Sequence, residues 1–402
     1  MSSAVDPDHH LAQAIGHFYR GHLAAADAHC RRSLAAAPDR AGALNLLGAI
    51  AALAGLRAAA ADSFGRASAL AAARDNLAVL ASRPGTGPAR TTPGYVLIKA
   101  WGFGFWAEVC HVLGGLLLAE LTGRTPVIQW GRKCRFTDGH RPEAFGLFFE
   151  PVSDLTVADL MALEPAPSCF PEGWSREALR RDRWSKRPGL GAIDFLARTE
   201  TVLVCCVFMG VADLAPWIPP AHPLHGRTIA ACFKALFDRY LRPRPEIMAA
   251  VRDFRERHLA GAPVAAVHLR GSDKVTEVPG LAAVNDRVIA LVDAVPASWR
   301  LFLLTDDARL ARDVRRRYGG RVVMTYSRRT ADGTGIHYHA GENGAALGRE
   351  VMIDTWLALG ADRFIGNGRS NVSGIIDVLR TAGGQDSTLV LDNQLTENTW
   401  FL

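Results

Sequence analysis

The run Ala262-Pro-Val-Ala-Ala-Val267 is apolar, small and β-branched, and it ends at once in His268-Leu-Arg270-Gly-Ser-Asp273-Lys274. Such a run reads as a buried parallel strand that delivers polar side chains at its C-terminal edge, where open α/β sheets hold their ligands. Two more strands of this kind, Arg300-Leu-Phe-Leu-Leu-Thr305-Asp306-Asp307 and Arg363-Phe-Ile-Gly-Asn-Gly-Arg369-Ser370, follow at the spacing of α/β units. His, Arg and Lys gathered at the first strand's end suit a phosphorylated ligand.

The α/β pattern extends in both directions. The second block predicts strands at 264–269, 300–305, 321–325, 362–366 and 388–391, with helices at 282–294, 308–318, 345–360 and 371–382. Upstream, strands are expected at 95–100, 125–130 and 201–208. Gly102-Phe103-Gly104 makes a turn, and 105–122 forms a long apolar helix. Residues 131–200 are expected as helices and loops around a cleft, and 226–258 as one or two helices broken at Pro243 and Pro245. Alternation in two blocks predicts two Rossmann-like domains facing a cleft, 94–258 and 259–402.

Residues 1–81 are of another kind. They are Ala-rich and repeat at 34 residues: Gly21 with Gly55, Tyr19 with Leu53, Ala24 with Ala58, Ala28 with Asp62, Cys30 with Phe64. This resembles tetratricopeptide repeats in about two units, and a generic pair of Ala-rich helical hairpins stays open beside it. Two units are few for independent stability, so the segment is expected to pack on the rest of the chain or on a second copy, giving a homodimer. Residues 82–93, rich in Pro and Gly, read as a linker.

With 49% hydrophobic and 21% charged residues in 402, the chain can build a large core. No apolar run reaches the roughly 18 residues of a membrane span, so no transmembrane segment is expected, and the acidic, polar start Met-Ser-Ser-Ala-Val-Asp is expected to carry no secretory signal. Seven cysteines without metal spacing read as core thiols in a reducing compartment, so a cytoplasmic location is expected. The net charge of +6 comes from arginine runs such as Arg312-Asp-Val-Arg-Arg-Arg317. These read as solvated helix faces, and no basic stripe with interleaved aromatics marks a nucleic-acid partner.

Gly102-Phe-Gly104 fits a loose dinucleotide fingerprint. A ribose would need an acidic residue at the end of the next strand, and Gln129 or Trp130 stands there. A sugar nucleotide raises a different requirement. Breaking its glycosidic bond builds negative charge on the leaving diphosphate, which a metal or fixed cations must meet. No Asp-x-Asp motif stands at a suitable strand end, and Asp306 or Asp307 can equally be a helix N-cap. Arg270 with Lys274 can do the work of a metal, unless Arg270 and Asp273 form only a structural pair. After the strand at 362–366, the Gly turn and Ser370-Asn371 at a helix start make an anion site or a plain N-cap. His337 and His339 are weak metal ligands at that spacing, and one of them touching a phosphate or acceptor is an equal reading.

Together these stretches resemble the fucosyltransferases of glycosyltransferase family 23. The family motif His-Val-Arg-Arg-Thr-Asp-Lys-Val-Gly-Thr-Glu is similar to His268 through Glu277, with Gly271 in place of the second Arg and one residue fewer before the Glu. Leu304-Thr-Asp-Asp307 and the stretch from Asp354 through Asp362 to Ser370-Asn-Val372 match the second and third motifs. Gly102-Phe-Gly104, Gly123-Arg-Thr125 and Phe148-Phe-Glu-Pro151 are similar to the N-terminal domain of the bacterial members, so the likeness covers roughly 94–390. The resemblance implies an α/β GT-B fold, GDP-β-L-fucose as donor, inversion and no metal or other cofactor. It implies Glu277 as base, with Arg270, Lys274 and Asp273 in the catalytic group. His268, Arg270, Asp306, Asp354, Arg369, Ser370 and Asn371 would bind the donor: Arg270 the β-phosphate, Asp354 the guanine edge, Ser370 a phosphate. Gly102, Phe103, Gly104 and His337 would face a glycan or protein acceptor. Another nucleotide sugar, or a non-catalytic repeat scaffold with a degenerate transferase domain, are the alternatives.

Overall fold

Two parallel sheets organise the chain. The computed structural model describes residues 6–19, 22–54, 56–81, 93–132, 134–140, 143–182, 190–196, 198–271, 280–336, 339 and 343–396. The first sheet holds β1 (Tyr95–Lys99), β2 (Thr125–Gln129), β3 (Cys169–Phe170) and β4 (Val202–Cys205) in the order β2-β1-β4-β3. The second holds β5 (Val264–His268), β6 (Arg300–Leu304), β7 (Val322–Val323), β8 (Arg363–Asn367) and β9 (Ser387–Val390) in the order β7-β6-β5-β8-β9. Every pairing is parallel. All five residues of β5 are buried, as a strand covered by helices on both faces requires. In each sheet the order reverses beside the first strand, between β1 and β4 and between β5 and β8, and the loops leaving those strands open the crevice where doubly wound sheets take ligands.

Five helices precede the sheets: α1 (Pro7–Tyr19), α2 (Leu23–Ala36), α3 (Ala41–Leu53), α4 (Arg57–Arg66) and α5 (Ala71–Ala81). α3 and α4 begin 34 residues after α1 and α2, which is the period read from the sequence. Gly48 permits the close crossing of α3 and α4, because a Cβ there would stand 2.5 Å from the Phe64 ring. The helices do not stand apart. α3 packs on the turn Ala215–Trp217, and Phe18, Leu46 and Phe64 join one apolar core with the sheets.

The first sheet carries α6 (Phe105–Thr122), α7 (Val157–Met161), α8 (Val211–Leu214) and α9 (Ile229–Tyr240). The expectation that no segment has the length and apolarity of a membrane span is corrected at α6, whose 18 residues have a mean hydropathy of 1.3. Its apolarity on all sides has a local cause: it runs through the core, with residues from Phe105 to Leu121 buried on every face. α10 (Pro245–His258) leads into β5 and packs with the second half, Phe254 lying edge-on to Phe302 and Arg300 donating to the His258 carbonyl at 2.8 Å. α11 (Leu281–Asp293), α12 (Ala308–Tyr318), α13 (Gly344–Leu359) and α14 (Asn371–Thr381) complete that half. α12 turns its arginines to solvent over buried Ala311 and Val314, as its charge pattern predicts.

Three boundaries differ from the sequence reading. The strand expected at 201–208 ends at Cys205, because the chain turns there to cross α6. Met209 N–H donates to His111 Nδ1 at 3.0 Å, and a Cβ on Gly114 would lie 1.9 Å from the Met209 carbonyl oxygen. The strand expected at 321–325 shortens to two residues at the sheet edge, because Thr325 leaves the sheet to bond Asp354. β3, inside a stretch expected as helix and loop, extends the first sheet beyond β4.

α6 and α13 join the halves. Trp106 Nε1 donates to Thr355 Oγ1 at 2.9 Å and stacks on Trp356 at 5.8 Å, while Gly348 lets α13 lie directly on Phe148 and Phe105. An aromatic seam with one satisfied hydrogen bond holds the two switch points on opposite sides of one cavity.

Candidate functional site

The cavity measures about 360 Å³, in the range of small-molecule sites. One wall comes from the second half. After β5 the chain continues through His268, Leu269 and Arg270, Leu269 N–H still bonding the Leu304 carbonyl at 3.1 Å. Asn285 of α11 donates to the Arg270 carbonyl at 2.9 Å, and the Arg270 guanidinium meets the Asp306 carboxylate. Gly271 N–H donates to the same carboxylate at 3.2 Å. Asp306 is therefore tied to the arginine it adjoins. Asp307 is buried and caps α12, accepting from the N–H groups of Arg309 and Leu310.

That cap fills the space beside Gly271. A Cβ on Gly271 would lie 2.5 Å from the Asp307 Cβ, so no side chain fits there. A second arginine is excluded by packing.

His268 is buried, and its Nδ1 lies 2.6 Å from Ser373 Oγ, which also accepts the Asn367 N–H at 3.1 Å. Burial, helped by the Arg270 charge, pushes the imidazole down to about 3, so it is neutral near pH 7. Ser370 is the buried N-cap of α14 and its side chain makes no capping bond. The first turn of an 11-residue helix thus opens on the cavity at Ser370, Asn371 and Val372, with its dipole favouring an anion.

Asp354 of α13 stands farther along this wall. Its two oxygens accept from Thr325 Oγ1 at 2.6 Å and Ser327 Oγ at 3.0 Å, and burial raises it to about 6 despite those bonds. Arg328 and Glu350, both lining the cavity, pair through the arginine Nε at 3.0 Å. The sequence reading missed this pair, and neither residue belongs to a motif.

The opposite wall comes from the first half and carries no charged side chain among the described residues that line it; Trp101, Phe103, Phe136 and Phe208 are its large members. Gly104 and Phe103 line the cavity. Gly102, with φ of 87°, does not, nor does Arg369, whose backbone N–H instead donates to Asn367 Oδ1 at 2.8 Å. The loop 101–103 cannot serve as a phosphate cradle, because the buried Glu108 carboxylate accepts its three N–H groups, that of Phe103 at 2.8 Å. A carboxylate of the protein sits where an anion would. This adds a physical reason against dinucleotide binding at that turn.

Asp273, Lys274, Glu277 and His337 lie outside the described residues. His339 is half-buried and lies 3.4 Å from Asp332. Among the described residues no group of three His, Cys, Asp or Glu side chains converges as metal ligands would.

No family model matches the chain, and no curated relative matches it. Among solved structures the chain is similar to a NodZ α-1,6-fucosyltransferase soaked with GDP-fucose, with 21% identity over 72% of this chain and 93% of that one and a TM-score of 0.48. It is also similar to a mutant FUT1 of Arabidopsis thaliana in complex with GDP, at 13% identity over 85% and 80% with a TM-score of 0.46. A third is POFUT1 in complex with GDP, at 16% identity over 75% and 99% with a TM-score of 0.43.

Proposed function

We propose that the chain is an inverting glycosyltransferase that moves fucose from GDP-β-L-fucose to a hydroxyl of a glycan or protein. One observation carries the reading: Arg270, the open first turn of α14 and the Asp354 carboxylate share one wall of one cavity. Those three groups answer the three demands of a guanosine diphosphate donor. The guanidinium and the helix dipole meet diphosphate charge, and a carboxylate can accept two parallel hydrogen bonds from the N1–H and N2–H₂ edge of guanine. The motif order in the sequence supports the same assignment.

In the proposed step the acceptor oxygen attacks the anomeric carbon as the bond from that carbon to the β-phosphate oxygen breaks. The electron pair leaves with GDP, where Arg270 and α14 stabilise it, so no metal is required. Glu277 takes the acceptor's proton, and Lys274 is assigned to the same catalytic group from the motif it shares with Glu277. The helices α1–α5 are proposed as tetratricopeptide-like repeats that present an acceptor or a second copy. The seven cysteines, none in a disulfide and most buried, suit the reducing cytoplasm.

Incubation with GDP-fucose and separately with other GDP- and UDP-sugars, with and without EDTA, followed by measurement of nucleotide release, tests the reading. Release from GDP-fucose that persists in EDTA and vanishes in Arg270→Ala is expected. Release from a UDP-sugar alone refutes the donor, and release from none refutes the enzyme in favour of a scaffold.

A further inference from the structure

The two walls of the cavity differ in kind. Every charged side chain that lines it among the described residues comes from the second half: Arg270, Asp306, Arg328, Glu350 and Asp354. The first-half wall is aromatic, and it is exposed. Phe103 and Phe208 are 41% and 36% accessible, among the few large apolar side chains the described chain leaves open. Trp101 lies between them, stacked on Phe103 at 5.8 Å and edge-on to Phe208 at 5.7 Å. Exposed aromatics at a cavity mouth are costly in water unless a ligand covers them.

The shelf is also held rigid. Trp101, Gly102 and Phe103 all donate their N–H groups to Glu108, one turn into α6, and Arg135 Nε bonds the Gly102 carbonyl at 2.9 Å. A buried carboxylate satisfied by three backbone donors fixes the loop's path, and with it the two aromatic rings. The ring of His111 braces Trp101 from below at 5.6 Å.

We propose that Trp101, Phe103 and Phe208 form the acceptor subsite, that it takes an uncharged glycan through the apolar face of a pyranose ring, and that Glu108 is its positioning residue. This rests on the donor assignment above for the role of the opposite wall. Flat aromatic faces cover the C–H face of a sugar ring, and the described first-half wall, which carries no charged side chain, gives an anionic or cationic sugar nothing to offset its desolvation. An acidic peptide or acidic glycan is disfavoured on the same ground.

The test uses the full chain, with and without saturating GDP, titrated calorimetrically with three tetrasaccharides: N-acetylated chitotetraose, its cationic de-N-acetylated form, and anionic tetragalacturonate. The neutral sugar is expected to bind at least ten-fold tighter than either charged one. Phe103→Ala and Phe208→Ala should weaken it ten-fold or more while GDP affinity is kept. Tighter binding of a charged sugar, no sugar binding at all, or unchanged affinity in both Ala variants overturns the proposal. Sugar binding without GDP binding would refute the donor assignment and leave the subsite standing.

Glu108 is tested by its own signature. Burial raises its carboxyl to about 7, against the three N–H bonds and the Arg135 charge. Among the described residues, the titratable groups that act on it are Arg135 and the Cys134 thiol, pushed up to about 12, and neither changes charge between pH 8 and 6; Asp354 across the cavity, raised to about 6, is controlled for by repeating the titration in Asp354→Asn. Affinity for the neutral sugar should fall over that range in the parent chain, and should be flat and weak in Glu108→Gln. A Gln variant that keeps both the affinity and the pH profile removes Glu108 from the subsite.

Discussion

Gly271→Ala adds one methyl group where the structure leaves no room, and its effect can be worked from distances. The new carbon would stand 2.5 Å from the Asp307 Cβ and 2.8 Å from its Oδ2. Ordinary carbon contacts lie near 3.5–4.0 Å, so something must move by about 1 Å. Asp307 cannot yield freely, because it is buried and its Oδ1 holds the Arg309 N–H at 2.6 Å and the Leu310 N–H at 3.2 Å. Loss of that cap costs about 1 kcal/mol, and overpacking of this kind about 1–3 kcal/mol. A total of about 2–4 kcal/mol is expected. If the 268–271 segment moves instead, Arg270 moves with it, and a displacement of about 1 Å at a positioning group costs on the order of 100-fold in turnover. Gly65→Ala is the control, a helix position with nothing within 4 Å, where alanine should stabilise by about 0.5–1 kcal/mol. Thermal unfolding and GDP calorimetry on both variants decide the matter. A Gly271→Ala protein with the parent's unfolding midpoint and GDP affinity would refute the packing account of why glycine stands at 271.

Two further outcomes are expected. Glu277→Gln should leave GDP affinity within two-fold while slowing transfer by about 10²–10⁴; an unchanged single-turnover rate would exclude it as the base. Acid should destabilise the fold through His268 and His111, both held neutral near 3 by burial against about 6.5 when unfolded. The depressed pKa means the unfolded chain binds the extra protons, so stability is intact above pH 6.5 and is lost as pH falls toward 3. Each histidine contributes about 1.4 kcal/mol per pH unit in that window. Denaturant midpoints at pH 7, 6 and 5 check the slope, and a flat response would contradict the burial of both rings.

What could be read in advance follows from how local each signal is. β5 and β6 were legible because a strand buried on both faces leaves an unbroken apolar run, and β8 because its Phe-Ile core leads into a glycine turn before a helix start. The 34-residue period emerged because the helix crossings need small residues at fixed offsets, as at Gly48 against Phe64. Asp307 was a possible N-cap by position alone. Glu108 was missed although its signal was present, a single carboxylate in the first turn of an otherwise apolar helix, next to a glycine turn whose amides need acceptors. Phe208 was assigned to a strand because apolar periodicity continues past Cys205; only the crossing of Met209 over Gly114 ends it. Arg328 with Glu350 had no signal, since a pair 22 residues apart across a loop and a helix is a tertiary fact. Arg369 was named from the resemblance alone; the cavity wall does not include it.

The clamp itself raises a question that its geometry answers. Both arginines that line the cavity already hold a carboxylate, Arg270 that of Asp306 and Arg328 that of Glu350. On the proposed function, attraction for a diphosphate would come less from surplus charge than from donors fixed in advance, which matters most when negative charge develops on the leaving group. Asp306→Asn separates this account from one in which Asp306 binds the donor directly. Removing its charge raises the local positive potential, so GDP should bind equally or up to about ten-fold tighter at low salt. Arg270 loses its partner, so turnover should fall by about ten-fold or more, and KM and kcat drop together. A direct donor ligand would behave the other way, with GDP affinity lost as the carboxylate goes. Weaker GDP binding in Asp306→Asn, with turnover at saturating donor unchanged, would show that the arginine needs no holding and that Asp306 itself recognises the nucleotide.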